Sequence, residues 1–499
     1  MAIMRNIVRL ARAAALAAAF ALLLPLGASK QAPAAPVAST ASPLGRVDVG
    51  DDIVAFYRAR GFRPLWVAGS TLRPEAMQAL RMIGPAATPG LSAALAAARD
   101  GDPHRLTRAD LLLSRAYADF VRAHHRPPGP GAMRYIDPGL APDARSARLI
   151  LDGAAQAQSL AAHLSAVERI NPAYDGLKHG LTAYRARWSH LPQAAIPHRP
   201  SDAALRRRLG LGAVAPLDGP LREFQAAHGL PQSGSADAAT IAAFNRGARH
   251  YERLILANLE RARAIPAHPG GRYILVDAAS ARLWMVEDGR IHGSMRVVVG
   301  KRAMPTPVMA GLIRYAVLNP YWNLPPDLIR ERARKGPRAI AAERLQVLSD
   351  WTPKARPLDP RRVDWRAVAA GRRFVNLRQT PGSHNMMGRI KFMMPNDLGV
   401  YLHDTPHREL LRRPDRHLSS GCVRLEDAQR LARWLFEGRL PRPSGAAEQR
   451  VDLPEAMPVY IAYFTVLPSR RGVVFQPDVY GRDRAMLAGL ARTESTRRP

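Results

Sequence analysis

Hydrophobic positions divide the chain into stretches of different period. Residues 13–26 form a run of small apolar residues and leucine interrupted by Pro25, with Arg5, Arg9 and Arg12 before it and Gly27, Ala28 and Ser29 after it. This is the layout of a secretory signal peptide over 1–29; the run is shorter than the ~20 residues of a membrane span. Export is expected, with a membrane anchor as the alternative if the segment stays uncleaved. Residues 30–46, rich in Ala, Pro and Ser, predict a flexible linker. From 47 to 198 apolar residues recur at three and four, as in DDIVAFYRARGFRPLWV and SARLILDGAAQAQSLAAHLSAVERI. That spacing predicts a helical scaffold, broken by Pro-rich stretches near 127–130 and 192–200.

Residues 201–247 predict a separate small helical unit. A helix over 220–228 stops at Gly229, a turn follows around Gly234, and a second helix runs over 236–245. From 271 the period drops to two. RYILVDAASARLWMVEDGRIHGSMRVVVG alternates apolar and polar positions, and Glu287-Asp288-Gly289 supplies a hairpin turn. GLIRYAVLNPYW, GVYLHD and MPVYIAYFTVL predict further strands, and 426–438 a helix. Residues 326–382 break the strand pattern, which predicts an insertion that caps a site. Residues 466–499 form a C-terminal extension. The expected class is multidomain α+β, with a mainly β domain at 270–465.

Charge adds one constraint. Lys and Arg number 73 against 41 Asp and Glu, a net +32, so the surface attracts polyanions. The basic residues are dispersed, and neither a zinc-finger cysteine pair nor a phosphate-binding glycine loop of the Walker type is present. With an export signal, this argues against nucleic acid and leaves an anionic cell wall or lipid as partner.

The single cysteine of the chain, Cys422, lies in HLSSGCVRLEDA. A lone thiol in an oxidising compartment is a buried small hydrophobe, an intermolecular linker or a reactive group. Its neighbours favour a nucleophile. Gly421 permits close backbone approach, the amides around Ser420, Gly421 and Cys422 are candidate oxyanion donors, and Arg424 supports an anionic sulfur or a substrate carboxylate. His403, His407 and His417 are candidate bases. His403 is preferred because it ends a strand-like run, with Asp404 next to it to fix its tautomer through side chain or backbone. A zinc site from these histidines and Cys422 lacks any familiar ligand spacing.

Two resemblances follow from these residues. The order of Leu221, Phe224, Gln225, His228, Gly229, Leu230, Gly234, Thr240 and Asn245 resembles the peptidoglycan-binding domain type 1, a three-helix module, although Ser233 replaces the usual acidic residue. It implies a glycan or peptide contact through 201–247. His403, nineteen positions before Cys422, with Ser419-Ser420-Gly421-Cys422-Val423-Arg424, resembles the signature of the L,D-transpeptidase (YkuD) family, in its larger subgroup with a capping subdomain. GKRAMPTPV, NPYWNLPP, PGSHNMMGRIKFMMPN and VYLHDTP extend the resemblance over about 270–465. Ser420 stands where the common form has histidine.

The resemblance implies Cys422 as nucleophile, His403 as base oriented by the backbone carbonyl of Asp404, and Gly421 in the oxyanion hole. It implies substrate contacts from Arg424, Ser420, Tyr401, Trp322, Asn323, Asn385, Lys391 and Met394. It also implies a periplasmic enzyme of a Gram-negative bacterium acting on tetrapeptide stems of peptidoglycan, without metal or organic cofactor, acylated by carbapenems. Bland alternatives are that Trp322, Tyr401 and Met394 are core, that Asn385 and Lys391 shape a loop, and that the chain is an inactive wall-binding scaffold or an L,D-carboxypeptidase.

Overall fold

The computed structural model describes residues 48–84, 90–129, 132–142, 144–267, 271–352, 354–439 and 442–496. The expected signal peptide and linker lie outside them. Among the described residues no helix is long and apolar enough to cross a membrane.

The N-terminal region is helical, as its period dictates. The helix Asp51–Ala59 buries Ile53, Phe56 and Tyr57 against the long helix Pro103–His124. The next turn is anchored by Asp110, which is 2% exposed and accepts hydrogen bonds from the amides of Leu65 (3.1 Å) and Trp66 (2.6 Å) and from the Tyr57 hydroxyl. Burial raises the carboxyl pKa, and these three donors oppose that shift. The stretch 146–170 forms two helices, Ala147–Gln156 and Leu160–Val167, capped by Ser146 and Ser159. Serine favours such caps because its oxygen accepts one of the free first-turn amides.

Residues 201–247 form three short helices, Asp202–Arg208, Asp218–Ala227 and Ala238–Arg246. The residues behind the module resemblance mostly face inward. Gln225 is fully buried; it donates to Ser233 Oγ, Ser235 O and Thr240 Oγ1 and accepts from the Gly234 amide. Buried His228 hydrogen-bonds the Phe224 carbonyl (2.7 Å) and the Tyr184 hydroxyl (3.1 Å). The C-terminal extension is not a loose tail. Its hairpin, Val466–Ser469 with Gly472–Phe475, packs on the helices Pro172–Tyr184 and Asp218–Ala227. Phe475 joins Tyr184, Phe224 and Tyr251 in one core. Scaffold helix, module and extension therefore share a single apolar interior.

The mainly β region is a sheet closed on itself. Its strands run Ile390–Met393, Leu402–His403, Val423–Leu425, Arg290–Gly300, Arg282–Glu287, Arg272–Asp277, Gln449–Ala462 and Met309–Leu318, and the last pairs back onto the first. Closure removes exposed strand edges. The Glu287–Arg290 turn has Asp288 at φ 49° and Gly289 at φ 73°, the doubly left-handed geometry that tight hairpins demand. Arg134–Tyr135, from the helical region, adds a parallel strand to Met309–Leu318. The helix Ala428–Leu435 buries Leu431, Ala432 and Leu435 on the sheet; each large apolar side chain so buried contributes ~1.5–3 kcal/mol.

The insertion is a compact subdomain with a sheet and a core of its own. The strands Pro357–Leu358, Leu345–Leu348, Asn376–Gln379 and Trp322–Asn323 form their own sheet. The helices Pro326–Lys335, Pro337–Ala342 and Trp365–Ala369 close a separate core around Trp322, Ile340, Leu377 and Trp365.

Candidate active site

The cysteine lies in a chain reversal built on one strand. His417–Ser419 runs parallel to Arg290–Gly300, and Val423–Leu425 returns antiparallel to it. Gly421 makes the reversal at φ 115°, a backbone geometry that disfavours any side chain. Ser419 closes the turn: its hydroxyl donates to the Cys422 carbonyl (2.6 Å) and accepts from the Gly421 amide (3.2 Å). Thr306, fully buried, donates to the Gly421 carbonyl (2.8 Å) and accepts from the Gly300 amide (2.8 Å). The Tyr480 hydroxyl, from the C-terminal extension, donates to the Gly300 carbonyl (2.6 Å). The cysteine turn is thus held from three directions.

Register then assembles the face. Leu402 pairs with Val423, His403 with Arg424, and Lys391 with His403. Paired residues point to the same side of a sheet, so Lys391, His403 and Arg424 form a row. Tyr401 and Cys422 lie one alternation back on that side, where the Val423 amide donates to the Tyr401 carbonyl (3.1 Å). The rings of Tyr401 and His403 are 5.9 Å apart.

His403 is 1% exposed, and its Nδ1 is 2.5 Å from the backbone carbonyl of Asp404. A carbonyl only accepts, so Nδ1 carries the proton and Nε2 presents its lone pair. Burial, then the charge of Arg424 and finally that of Lys391, drive the imidazole pKa down to about 3, against the raising effect of the Asp404 carbonyl. The Asp404 carboxylate is engaged elsewhere, by the Arg389 amide (2.9 Å) and Arg408 Nη2 (2.5 Å). Gly388 lets it lie close: a Cβ there would sit 2.4 Å from Asp404 Oδ2, at φ 62°.

Cys422 is half-buried, with Sγ 3.4 Å from the Gly399 carbonyl. Burial pushes the thiol pKa up, opposed by hydrogen bonds from the amide and hydroxyl of Tyr401 and by the charge of Arg424. Both shifts favour the uncharged forms, a neutral thiol and a neutral imidazole on one sheet face. Burial, followed by the nearby thiol, raises the Tyr401 phenol. Arg424 is depressed by burial, and its Nε is buried without a partner among the described residues. Lys391 Nζ pairs with Glu448 at 3.0 and 3.3 Å, and Glu448 also accepts from the Tyr321 amide (2.6 Å).

Other expected site residues fall elsewhere or serve other purposes. The Gly421 amide donates to Ser419, so it is not free for an incoming oxygen, whereas the Cys422 amide has no acceptor among the described residues. Ser420 is exposed beside the thiol. Asn385 is fully buried and uses Nδ2 on the carbonyls of Pro320 and Thr380 (2.9 Å each) and Oδ1 on the Met387 amide; it organises a loop. Met394, 1% exposed, packs in the sheet core, and Trp322, 6% exposed, lies in the core of the insertion under Arg332. Asn323 is exposed on the insertion's sheet, paired with Arg378. His407 pairs with Glu409, and His417 bonds Asp415 and the Ala278 carbonyl, away from the thiol's partners. Thr306, Ser419, Tyr480 and Glu448 were not legible as site residues. Only Thr306 and Ser419 lay inside motifs the sequence marks out. Among the described residues no group of three or more His, Cys, Asp or Glu is gathered as metal ligands.

Comparison with known proteins agrees with this architecture. Residues 271–461 match the L,D-transpeptidase catalytic domain, and residues 51–181 match a scaffold domain. A Haemophilus influenzae protein described as "Putative L,D-transpeptidase" is 33% identical over 244 residues, 46% of this chain and 47% of that protein. The chain thus spans about half the length of the curated relative it matches. Among solved structures, an L,D-transpeptidase from Mycobacterium smegmatis is 14% identical, over 38% of this chain and 58% of that one, with a TM-score of 0.20. L,D-transpeptidase 3 from Mycobacterium tuberculosis, in complex with a faropenem-derived adduct, is 15% identical over 38% and 60%, with a TM-score of 0.20. The chain carries a YkuD L,D-transpeptidase catalytic domain at 271–461, behind a scaffold domain at 51–181.

Proposed function

We propose that the protein is an exported, periplasmic L,D-transpeptidase of a Gram-negative bacterium that joins peptidoglycan stems by 3→3 cross-links through a Cys422 thioester. The observation that carries this reading is the His403 Nδ1 to Asp404 carbonyl bond, on the same sheet face as Cys422. It leaves a neutral imidazole with a free Nε2 lone pair, the form a general base needs.

The thiol proton passes to His403 Nε2 as sulfur attacks the carbonyl between the L-centre of meso-diaminopimelate and the terminal D-Ala of a tetrapeptide stem. The oxyanion that develops is met by the Cys422 amide. When the C–N bond breaks, the imidazolium returns its proton to the departing D-Ala amine and a thioester remains. The amine of a second stem then attacks the thioester, His403 takes its proton, and the thiol is regenerated. Water in place of that amine gives L,D-carboxypeptidase activity. Arg424, whose Nε has no partner among the described residues, gives the face a cationic group, which suits stems that bear carboxylates. Carbapenems are expected to acylate the same thiol.

The test is mass spectrometry of tetrapeptide-containing muropeptides incubated with the chain from residue 30 onward, with Cys422→Ala alongside. A cross-linked dimer lacking one D-Ala, absent with the variant, supports the reading. Tripeptide alone points to hydrolysis. No conversion and no carbapenem adduct on Cys422 removes the enzyme reading in favour of a wall-binding scaffold.

A further inference from the structure

The inserted subdomain exposes two aromatic side chains that its own core does not need. Phe374 is 84% exposed and Trp351 is 50% exposed. Both border one slot of about 90 Å³. Its floor is apolar, formed by buried Leu324, Ile329 and Val368. Its rim carries Arg330 and Arg373, whose side chains have no hydrogen-bond or ion-pair partner among the described residues. Large exposed apolar groups beside a concave surface mark contact sites, and the combination of apolar floor with a few free polar groups is that of a ligand pocket.

We propose that this slot is a saccharide subsite that takes an N-acetylated hexose of the glycan strand to which the stem peptides are attached. The proposal rests on the reading of the chain as a peptidoglycan enzyme. The apolar C–H face of a pyranose stacks on an aromatic ring, and two exposed rings flank the slot. The slot holds a group of a few heavy atoms, the size of an acetamido substituent, whose methyl meets the apolar floor while its carbonyl accepts from a rim guanidinium. A purely apolar partner would leave Arg330 and Arg373 desolvated and unpaired, which is costly. Charge also matches: residues 326–382 contain fourteen Lys and Arg against six Asp and Glu, facing a polymer whose stems carry carboxylates.

The experiment uses the chain from residue 30 onward in two assays. Calorimetric titration with a tetramer of N-acetylglucosamine should show saturable binding to the parent and to Cys422→Ala, weakened at least tenfold in Trp351→Ala and in Phe374→Ala. These positions are exposed, and urea midpoints check that the variants fold. In turnover, Phe374→Ala should raise KM at least fivefold for disaccharide-linked tetrapeptide and leave KM for the free tetrapeptide unchanged. No binding of the tetramer to the parent, or equal loss on both substrates, overturns the subsite. Binding to anionic lipid vesicles that depends on Trp351 and Phe374, without tetramer binding, overturns it in favour of a membrane-facing patch. Failure of all turnover with tetramer binding intact overturns the proposed enzyme activity and supports the subsite.

Discussion

Thr306 is where the cysteine turn is most open to a clean perturbation. Its hydroxyl is the acceptor for the Gly300 amide and the donor to the Gly421 carbonyl, each at 2.8 Å, in a fully buried position. Thr306→Val keeps the shape and removes the hydroxyl, so no cavity term enters. Two buried backbone groups are left unpaired, at about 1–3 kcal/mol each, for an expected loss of about 2–6 kcal/mol. Thr306→Ser keeps the oxygen and loses one methyl, about 1 kcal/mol. Urea denaturation of parent, Val and Ser forms measures the first effect. Acylation of Cys422 by a carbapenem, followed by intact mass, measures the second. Because Gly421 must hold φ 115° to aim the thiol, Thr306→Val should slow acylation at least about tenfold, equivalent to 1.4 kcal/mol on the barrier, and Thr306→Ser should restore most of the rate. A valine form equal to the parent in midpoint and acylation rate refutes the claim that this hydroxyl holds the turn.

Three further outcomes are expected. The kcat/KM profile should show no inflection near the ordinary histidine value of 6.5, because His403 titrates at about 3; its acid limb should appear only well below pH 5, and a limb at 6.5 contradicts the buried neutral base. Acid should destabilise the fold through His228, held down to about 4 by burial: the unfolded chain takes this proton first, so stability is lost as pH falls from 6.5 to 4, by about 2–3 kcal/mol at pH 4.5. The urea midpoint difference between pH 7.5 and 4.5 should shrink in His228→Gln, and an unchanged difference counts against it. Gly388→Ala should cost about 2 kcal/mol or more in urea denaturation and slow acylation, since its Cβ would press on Asp404 Oδ2 from a left-handed backbone; wild-type behaviour would show that Asp404 need not be held there.

The parts of the molecule that the sequence exposes are those with local causes. The hairpin at Asp288 and Gly289 is written in two residues. His403, Gly421 and Cys422 stand out because their chemistry is concentrated in short motifs. The choice between the Asp404 side chain and its carbonyl was open in the sequence, and three-dimensional packing resolves it: Arg389 and Arg408 claim the carboxylate, leaving the carbonyl for His403. Long-range pairing leaves no periodic trace. Arg134–Tyr135 is too short a strand to show alternation, yet it extends the catalytic sheet. The strands of the insertion span two to four residues each, which explains why it reads as mixed loop and helix. Trp322, Asn385 and Met394 are residue types that suit a cleft or a core equally, and only burial distinguishes the two. Tyr480 supports Gly300 across 180 positions, beyond any local signal.

The central claim is that Cys422 becomes an acyl-thioester with His403 as its base. The most direct measurement is intact-mass and peptide-level mass spectrometry of the chain quenched within seconds of mixing with disaccharide tetrapeptide. The expected result is a mass gain equal to the substrate minus D-Ala, located on the peptide that contains Cys422, absent in Cys422→Ala and strongly reduced in His403→Ala. Turnover without any adduct on that peptide, or an adduct formed equally fast in His403→Ala, contradicts it.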